Sequence, residues 1–304
     1  MINLSMKQLR YFDAVARSGH FGRAAEECAI SQPALSVQIR EMEQTMGAAL
    51  FERGPRQVHL TALGAAMVPR VRAILRAVDE LSDLSRAAQG RLSGRLRLGV
   101  IPTIAPYLLP ALVGALAQSH PELELAPREA VTGKLISALI EAQLDAAILA
   151  LPVSEPALAE VPLFTEDFVL VRPAAEAGRP VPSAEALPKM RLLLLEEGHC
   201  FRDQALAFCK VGGVTPRTVM EGSSLATLTQ MVGAGIGVTL LPEIALPVET
   251  RSAPVSVARL AAPAPSRRVG MVWRRSSPLA AQLAEVAAVI AQVGTALRDR
   301  AEAM

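Results

Sequence analysis

Residues 31–42, Ser31-Gln32-Pro33-Ala34-Leu35-Ser36-Val37-Gln38-Ile39-Arg40-Glu41-Met42, decide how the first third of the chain folds. Ser31 is a good N-cap and Pro33 suits the first turn of a helix, where its missing N–H costs nothing. Leu35, Ile39 and Met42 then fall on one inner stripe. Pro33, Ser36, Val37 and Arg40 fall on the opposite face, with Ser31 and Gln32 at the exposed N-terminus. A polar helix presented N-terminus first is what a helix-turn-helix sends into the DNA major groove. Upstream, Leu9, Phe12, Val15 and Ala16 repeat at helical spacing and Gly19 is a stop signal. A short second helix fits Gly22 to Ala29, with Ala24, Ala25 and Cys28 inside. Downstream, Leu50-Phe51-Glu52-Arg53 and Gln57-Val58-His59-Leu60 flank Gly54-Pro55-Arg56. They read as a hairpin wing that offers Arg53 and Arg56 to phosphates. Charge adds little: residues 1–60 hold 7 basic and 6 acidic side chains. An ordinary helical bundle would show the same periodicity.

Thr61 can cap a long helix reaching about Ala88, in which Met67, Val71, Ile74, Val78 and Leu81 alternate steps of four and three as a dimerisation seam. Pro69 predicts a kink or irregular turn there. Gln89-Gly90-Arg91-Leu92-Ser93-Gly94 is a polar hinge, and beyond it strands alternate with helices. Strands are expected at 95–100, 123–125, 146–149, 168–171, 191–195, 238–241 and 269–273. Helices are expected at 108–119, 133–142, 225–233 and 278–299. The pattern predicts a mostly parallel α/β sheet in two lobes, with the strand at 269–273 returning to the first. The expected boundaries are a DNA-binding domain at 1–61, a linker helix at 62–89 and a regulatory domain at 90–304. Lobe I covers about 92–164 and 269–304, and lobe II about 165–268.

The chain has 304 residues, room for two or three domains. Mean hydropathy is +0.32, so a membrane reading must be tested. The longest apolar run, Val100 to Gln118, is interrupted by Pro102, Pro106 and Pro110. The start lacks the features of a signal peptide, so a cytoplasmic protein with no membrane partner is expected. Net charge is only +2.

Cysteines are few: Cys28, Cys200 and Cys209. If the segment from Cys200 to Cys209 is one helix, nine steps separate the Cα atoms by about 13 Å. The two side chains then point to opposite faces. A disulfide needs Cα atoms within about 7 Å. Either the thiols never pair, as two small buried hydrophobes, or pairing melts the helix. Cys200 follows Gly198-His199 at the expected first turn, where a helix N-terminus and nearby cations favour thiolate. His199 and Arg202 are the local candidates.

Several segments carry a resemblance. Phe21-Gly22-Arg23-Ala24-Ala25-Glu26, Ser31-Gln32-Pro33-Ala34-Leu35-Ser36 and Leu50-Phe51-Glu52-Arg53 followed by Leu60-Thr61 resemble the N-terminal domain of LysR-type transcriptional regulators. Further segments resemble the peroxide-sensing members of that family over essentially the whole chain. These are Gly198-His199-Cys200-Phe201-Arg202-Asp203-Gln204, Pro106-Tyr107-Leu108-Leu109-Pro110 and Gly235-Ile236-Gly237-Val238-Thr239-Leu240-Leu241-Pro242.

The resemblance implies a winged helix-turn-helix with a linker helix, followed by a two-lobed effector domain like that of periplasmic binding proteins. It implies Cys200 as the peroxidatic cysteine and Cys209 as the resolving one. Thr103, Thr132, His199 and an arginine of the Arg267-Arg268 pair, with Arg268 favoured, would position peroxide. The implied partners are double-stranded DNA carrying an inverted-repeat operator, hydrogen peroxide, a homodimer or homotetramer, and RNA polymerase. No cofactor or metal and no enzymatic turnover are expected. Val219 stands where several peroxide-sensing members carry histidine, and Glu221 where a relative is basic. The alternatives are a LysR-type regulator controlled by a metabolite in the interlobe cleft, with inert cysteines, and a thiol peroxidase.

Overall fold

The structure, a computed structural model, describes residues 3–54, 58–88, 92–183, 186–210 and 218–303. The chain divides into two compact units, Met1–Ser85 and Arg86–Met304.

The first unit begins with α1 (Met6–Ser18), whose Ser5 and Gln8 form a reciprocal capping box and which stops at Gly19 in the left-handed conformation (φ 61°). Next come α2 (Phe21–Glu27) and α3 (Gln32–Met46), where the Ser31 hydroxyl accepts from the Ala34 N–H at 3.3 Å. Leu35, Ile39 and Met42 are fully buried, as their spacing requires. β1 (Phe51–Arg53) and β2 (Val58–Leu60) pair antiparallel as the wing. Phe51 closes the core, its ring 5.3 Å from that of Phe12 and 6.1 Å from that of Phe21. Thr61 caps α4 (Ala62–Ala88), accepting from the Gly64 N–H at 3.0 Å. Gly64 lets α4 approach closely, since a Cβ there would sit 2.2 Å from the Leu50 carbonyl oxygen. The helix is continuous through Pro69, so the irregular turn expected there does not break it.

The second unit opens with β3 (Gly94–Val100), α5 (Ala105–Ser119), β4 (Leu123–Glu129), α6 (Thr132–Ile140) and β5 (Ala146–Leu151). β3 lies between β4 and β5 and is parallel to both. The long β6 (Leu158–Pro173) leads out of this half. It is followed by β7 (Leu192–Leu195), α7 (Cys200–Lys210), β8 (Thr218–Gly222), α8 (Leu225–Gly233), β9 (Thr239–Pro242), α9 (Leu246–Glu249) and β10 (Val255–Arg259). The return strand is β11 (Ser266–Arg274), and α10 (Ala280–Glu302) ends the chain. The main sheet runs β10-β6-β11-β5-β3-β4, with β9 also on β6. Among the described residues, parallel pairing joins β4-β3-β5 and the separate pair β7-β8, with one further parallel bridge between Leu192 and Val238. β6 and β11 cross between the halves antiparallel to all their neighbours. The sheet is therefore mixed rather than mostly parallel.

By length and composition α10 could cross a bilayer. Its Leu283, Val286, Ala287 and Ile290 are buried in the core of this unit, which marks it as a helix packed on its own domain.

Candidate functional site

Three loops meet at one small pocket lined by Ile101, Pro102, Thr103, Val131, Thr132, His199 and Cys200. They follow the C-terminal ends of β3, β4 and β7, where open α/β sheets place ligands. The gap between these residues is narrower than a water molecule, far below what a metabolite occupies.

Gly198 turns the chain into α7 with φ +93°, a conformation that favours glycine. It leaves His199 buried and Cys200 partly buried at the first position of the helix. Unpaired N–H groups and the positive end of the helix dipole collect there. Burial lowers the His199 pKa below its ordinary 6.5 against the pull of Glu196 and Glu129. The imidazole is therefore neutral at pH 7, with one N–H to donate. Arg202 directs one Nη at the Leu195 carbonyl (2.9 Å) and at Glu221 (2.5 Å) and is not among the residues lining the pocket with Cys200. Glu221 thus has a defined partner in Arg202. The Val219 and Cys209 side chains lie outside the described residues. Cys209 is still within the backbone span of α7, nine residues from Cys200.

The Thr132 hydroxyl oxygen, in the first turn of α6, is buried without a hydrogen-bond partner among the described residues. Thr103 is 2% exposed, and its hydroxyl accepts from an Arg267 Nη at 2.7 Å while its carbonyl accepts from the other Nη at 3.0 Å. The arginine at the pocket is therefore Arg267, which corrects the preference for Arg268. Side chains alternate along β11, so with Arg267 inside, its neighbour Arg268 faces out and is exposed.

Arg267 sits directly opposite Glu166 across the β6–β11 pair and bonds its carboxylate at 2.8–2.9 Å. It also lies 5.8 Å over the Phe201 ring, which packs edge-on against Phe168 with centroids 4.7 Å apart. Sequence reading missed Glu166, Phe168 and Phe201. The available signal was a lone Glu-Asp pair opening the apolar run Phe168-Val169-Leu170-Val171.

In the first unit, Ser31, Gln32, Pro33 and Arg40 are exposed on α3 and Ser36 is half-buried. Arg53 is on β1, but its side chain and all of Arg56 lie outside the described residues. The linker seam needs correction. Val71 is buried and Met67 packs beside it in the core of this unit, together with Val68 and Leu75. Val78 is half-buried. The exposed apolar residues are Leu63, Ile74, Leu81 and Leu84. α4 has two apolar faces, and the expected seam mixed them. The outward one, Ile74, Ala77, Leu81 and Leu84, keeps heptad steps of three, four and three.

Residues 6–65 match the family described as bacterial regulatory helix-turn-helix protein, lysR family, and residues 89–295 match the LysR substrate binding domain. A probable hydrogen peroxide-inducible genes activator from Streptomyces viridosporus is 42% identical over 97% of this chain and 95% of its own. The DNA-binding transcriptional dual regulator OxyR of Escherichia coli K12 is 40% identical over 94% of this chain and 95% of its own. Among solved structures, a cysteine-to-serine mutant of Corynebacterium glutamicum OxyR with hydrogen peroxide bound superposes with a TM-score of 0.69. It is 34% identical and covers 99% of this chain and 96% of its own. The chain therefore belongs to the LysR family of bacterial transcriptional regulators, among its OxyR-like, hydrogen peroxide-inducible members.

Proposed function

We propose that this protein senses hydrogen peroxide through Cys200 and converts the oxidation into a change of DNA contacts. The observation that carries the reading is the pocket itself. A thiol at a helix N-terminus faces a space too small for a metabolite, and a buried Thr132 hydroxyl there awaits a partner. The Cys200 thiolate attacks one oxygen of peroxide. An S–O bond forms and the O–O bond breaks; sulfur loses two electrons, and the second oxygen leaves as hydroxide and takes a proton to become water. Thr103, Thr132 and neutral His199 supply hydrogen bonds to the departing oxygen. The Cys209 thiol then attacks the sulfenic sulfur, and the disulfide forms with loss of water. Across one intact helix the two Cα atoms stand about 13 Å apart, so the second step requires α7 to unwind. A local loss of order of this kind can drive a switch.

The α3 residues Ser31, Gln32, Pro33, Ser36 and Arg40, with Arg53 and Arg56 of the wing, read an inverted-repeat operator. The outward face of α4 pairs two subunits, and two pairs make the tetramer that contacts DNA and RNA polymerase. The protein works in the cytoplasm, needs no metal or cofactor, and signals rather than turning over peroxide. Footprinting tests the reading: Cys200→Ser should bind operator DNA but lose the peroxide-dependent shift. A normal shift in that variant overturns it.

A further inference from the structure

We infer that Glu166 is a positioning residue for the peroxide reaction, acting on Cys200 through Arg267 and Thr103; the inference rests on the peroxide reading given above. Glu166 is wholly buried on the crossing strand β6, and each of its oxygens is engaged. One accepts from Arg267 Nε and Nη at 2.9 and 2.8 Å, the other from the Ile244 N–H at 3.0 Å. One carboxylate oxygen therefore holds the Nε–Nη edge of the guanidinium, and the Nη groups reach Thr103. There one Nη donates to the hydroxyl at 2.7 Å and the other to the carbonyl at 3.0 Å.

Guanidinium can only donate hydrogen bonds. Toward Arg267 the Thr103 hydroxyl must therefore accept, and its own hydrogen is left for the pocket it lines with Cys200. The hydroxyl's polarity is thus fixed two residues away. A hydroxyl that already accepts a charge-assisted bond is also the stronger donor in its next bond. When the Cys200 thiolate attacks peroxide, the oxygen leaving as hydroxide meets a donor that cannot rotate away. Without Glu166 the guanidinium is free to turn, and Thr103 is free to present a lone pair, which repels the departing oxygen.

The test compares two reactions of Cys200 in the full-length reduced protein. Iodoacetamide alkylation reads the thiolate and its access, whereas peroxide oxidation also needs the donor for the departing oxygen. Glu166→Gln and Glu166→Asp are each compared with the unaltered protein, and each is combined with Thr103→Val. The expected result is at least a tenfold fall in the peroxide rate with alkylation within twofold, and no further fall when Thr103→Val is added. Asp keeps the charge and folds even if Gln leaves Arg267 too poorly compensated, so it carries the same test. A Glu166 variant that keeps the full peroxide rate overturns the inference. So does an equal fall in both rates, or an independent effect added to that of Thr103→Val. If instead the unaltered Cys200 shows no preference for peroxide over iodoacetamide, the peroxide reading itself fails, and the two failures are distinct.

Discussion

Thr132→Val separates function from stability at the pocket. Valine has the shape of threonine and the same β-branched preference, so the first turn of α6 is unchanged. The substitution removes only the hydroxyl, which is buried and has no partner among the described residues. Leaving such a group unpaired costs about 1–3 kcal/mol, so replacing it by a methyl should stabilise the reduced protein by about 1 kcal/mol. In a unit of this size, Arg86–Met304, that raises Tm by roughly 2–4 °C. The peroxide rate should move the other way, because a preorganised donor to a departing oxygen contributes about 10²-fold. Calorimetry of the reduced protein gives the first number, and quenched-flow oxidation followed by thiol mass spectrometry gives the second. A lower Tm would mean that the hydroxyl has a structural partner. An unchanged peroxide rate would refute its place in the reaction.

Arg267→Met leaves the Glu166 carboxylate buried and unpaired, and chemical denaturation should show a loss of about 3–5 kcal/mol. Exposed Arg268→Ala should stay within about 0.5 kcal/mol. His199 has a depressed folded-state pKa, so the unfolded chain binds the extra proton first as pH falls. Stability from this group is complete above pH 6.5 and declines as pH drops through the lower folded value. His199→Asn should flatten that decline in a series of melts. Leu81→Glu on the outward face of α4 should split the oligomer in sedimentation while leaving subunit stability nearly intact. Val71→Ala, which deletes two buried methyl groups, should cost about 2 kcal/mol.

Local signals carried most of the N-terminal unit. Ser31, Gly19 and Thr61 act through their own backbone neighbours, so a cap read in sequence is a cap in the fold. The inner stripe of α3 was equally plain, because a 3.6-residue period needs no tertiary knowledge. The linker seam failed for the opposite reason. α4 serves its own domain with Met67 and Val71 and presents Ile74 and Leu81 outward, and periodicity alone cannot say which apolar face meets which partner.

In the second unit β5 and β7 were legible as apolar runs and β3 and β4 as short stretches bearing alternate leucines, whereas β8, parallel to β7, was not expected. The crossing pair β6 and β11 was only half seen, since its first residues alternate with exposed ones and pair across about 100 positions of chain. Cys200 and His199 stood out from the cysteine spacing and the expected helix start, Thr103 and Thr132 came from a resemblance, and the fold brings the four to one pocket. Choosing between Arg267 and Arg268 required the strand's register, and Glu166 became visible only when that register set it opposite Arg267.

In the proposed switch, Cys200 and Cys209 become bonded when peroxide arrives, although one helix spans both positions beforehand. Peptide mapping of the native protein under non-reducing conditions, before and after brief exposure to micromolar peroxide, tests it most directly. Free thiols at both positions are expected beforehand and a single Cys200–Cys209 linked peptide afterwards, reversed by dithiothreitol. Both thiols still unlinked after exposure, in protein whose DNA footprint has nonetheless shifted, would contradict it.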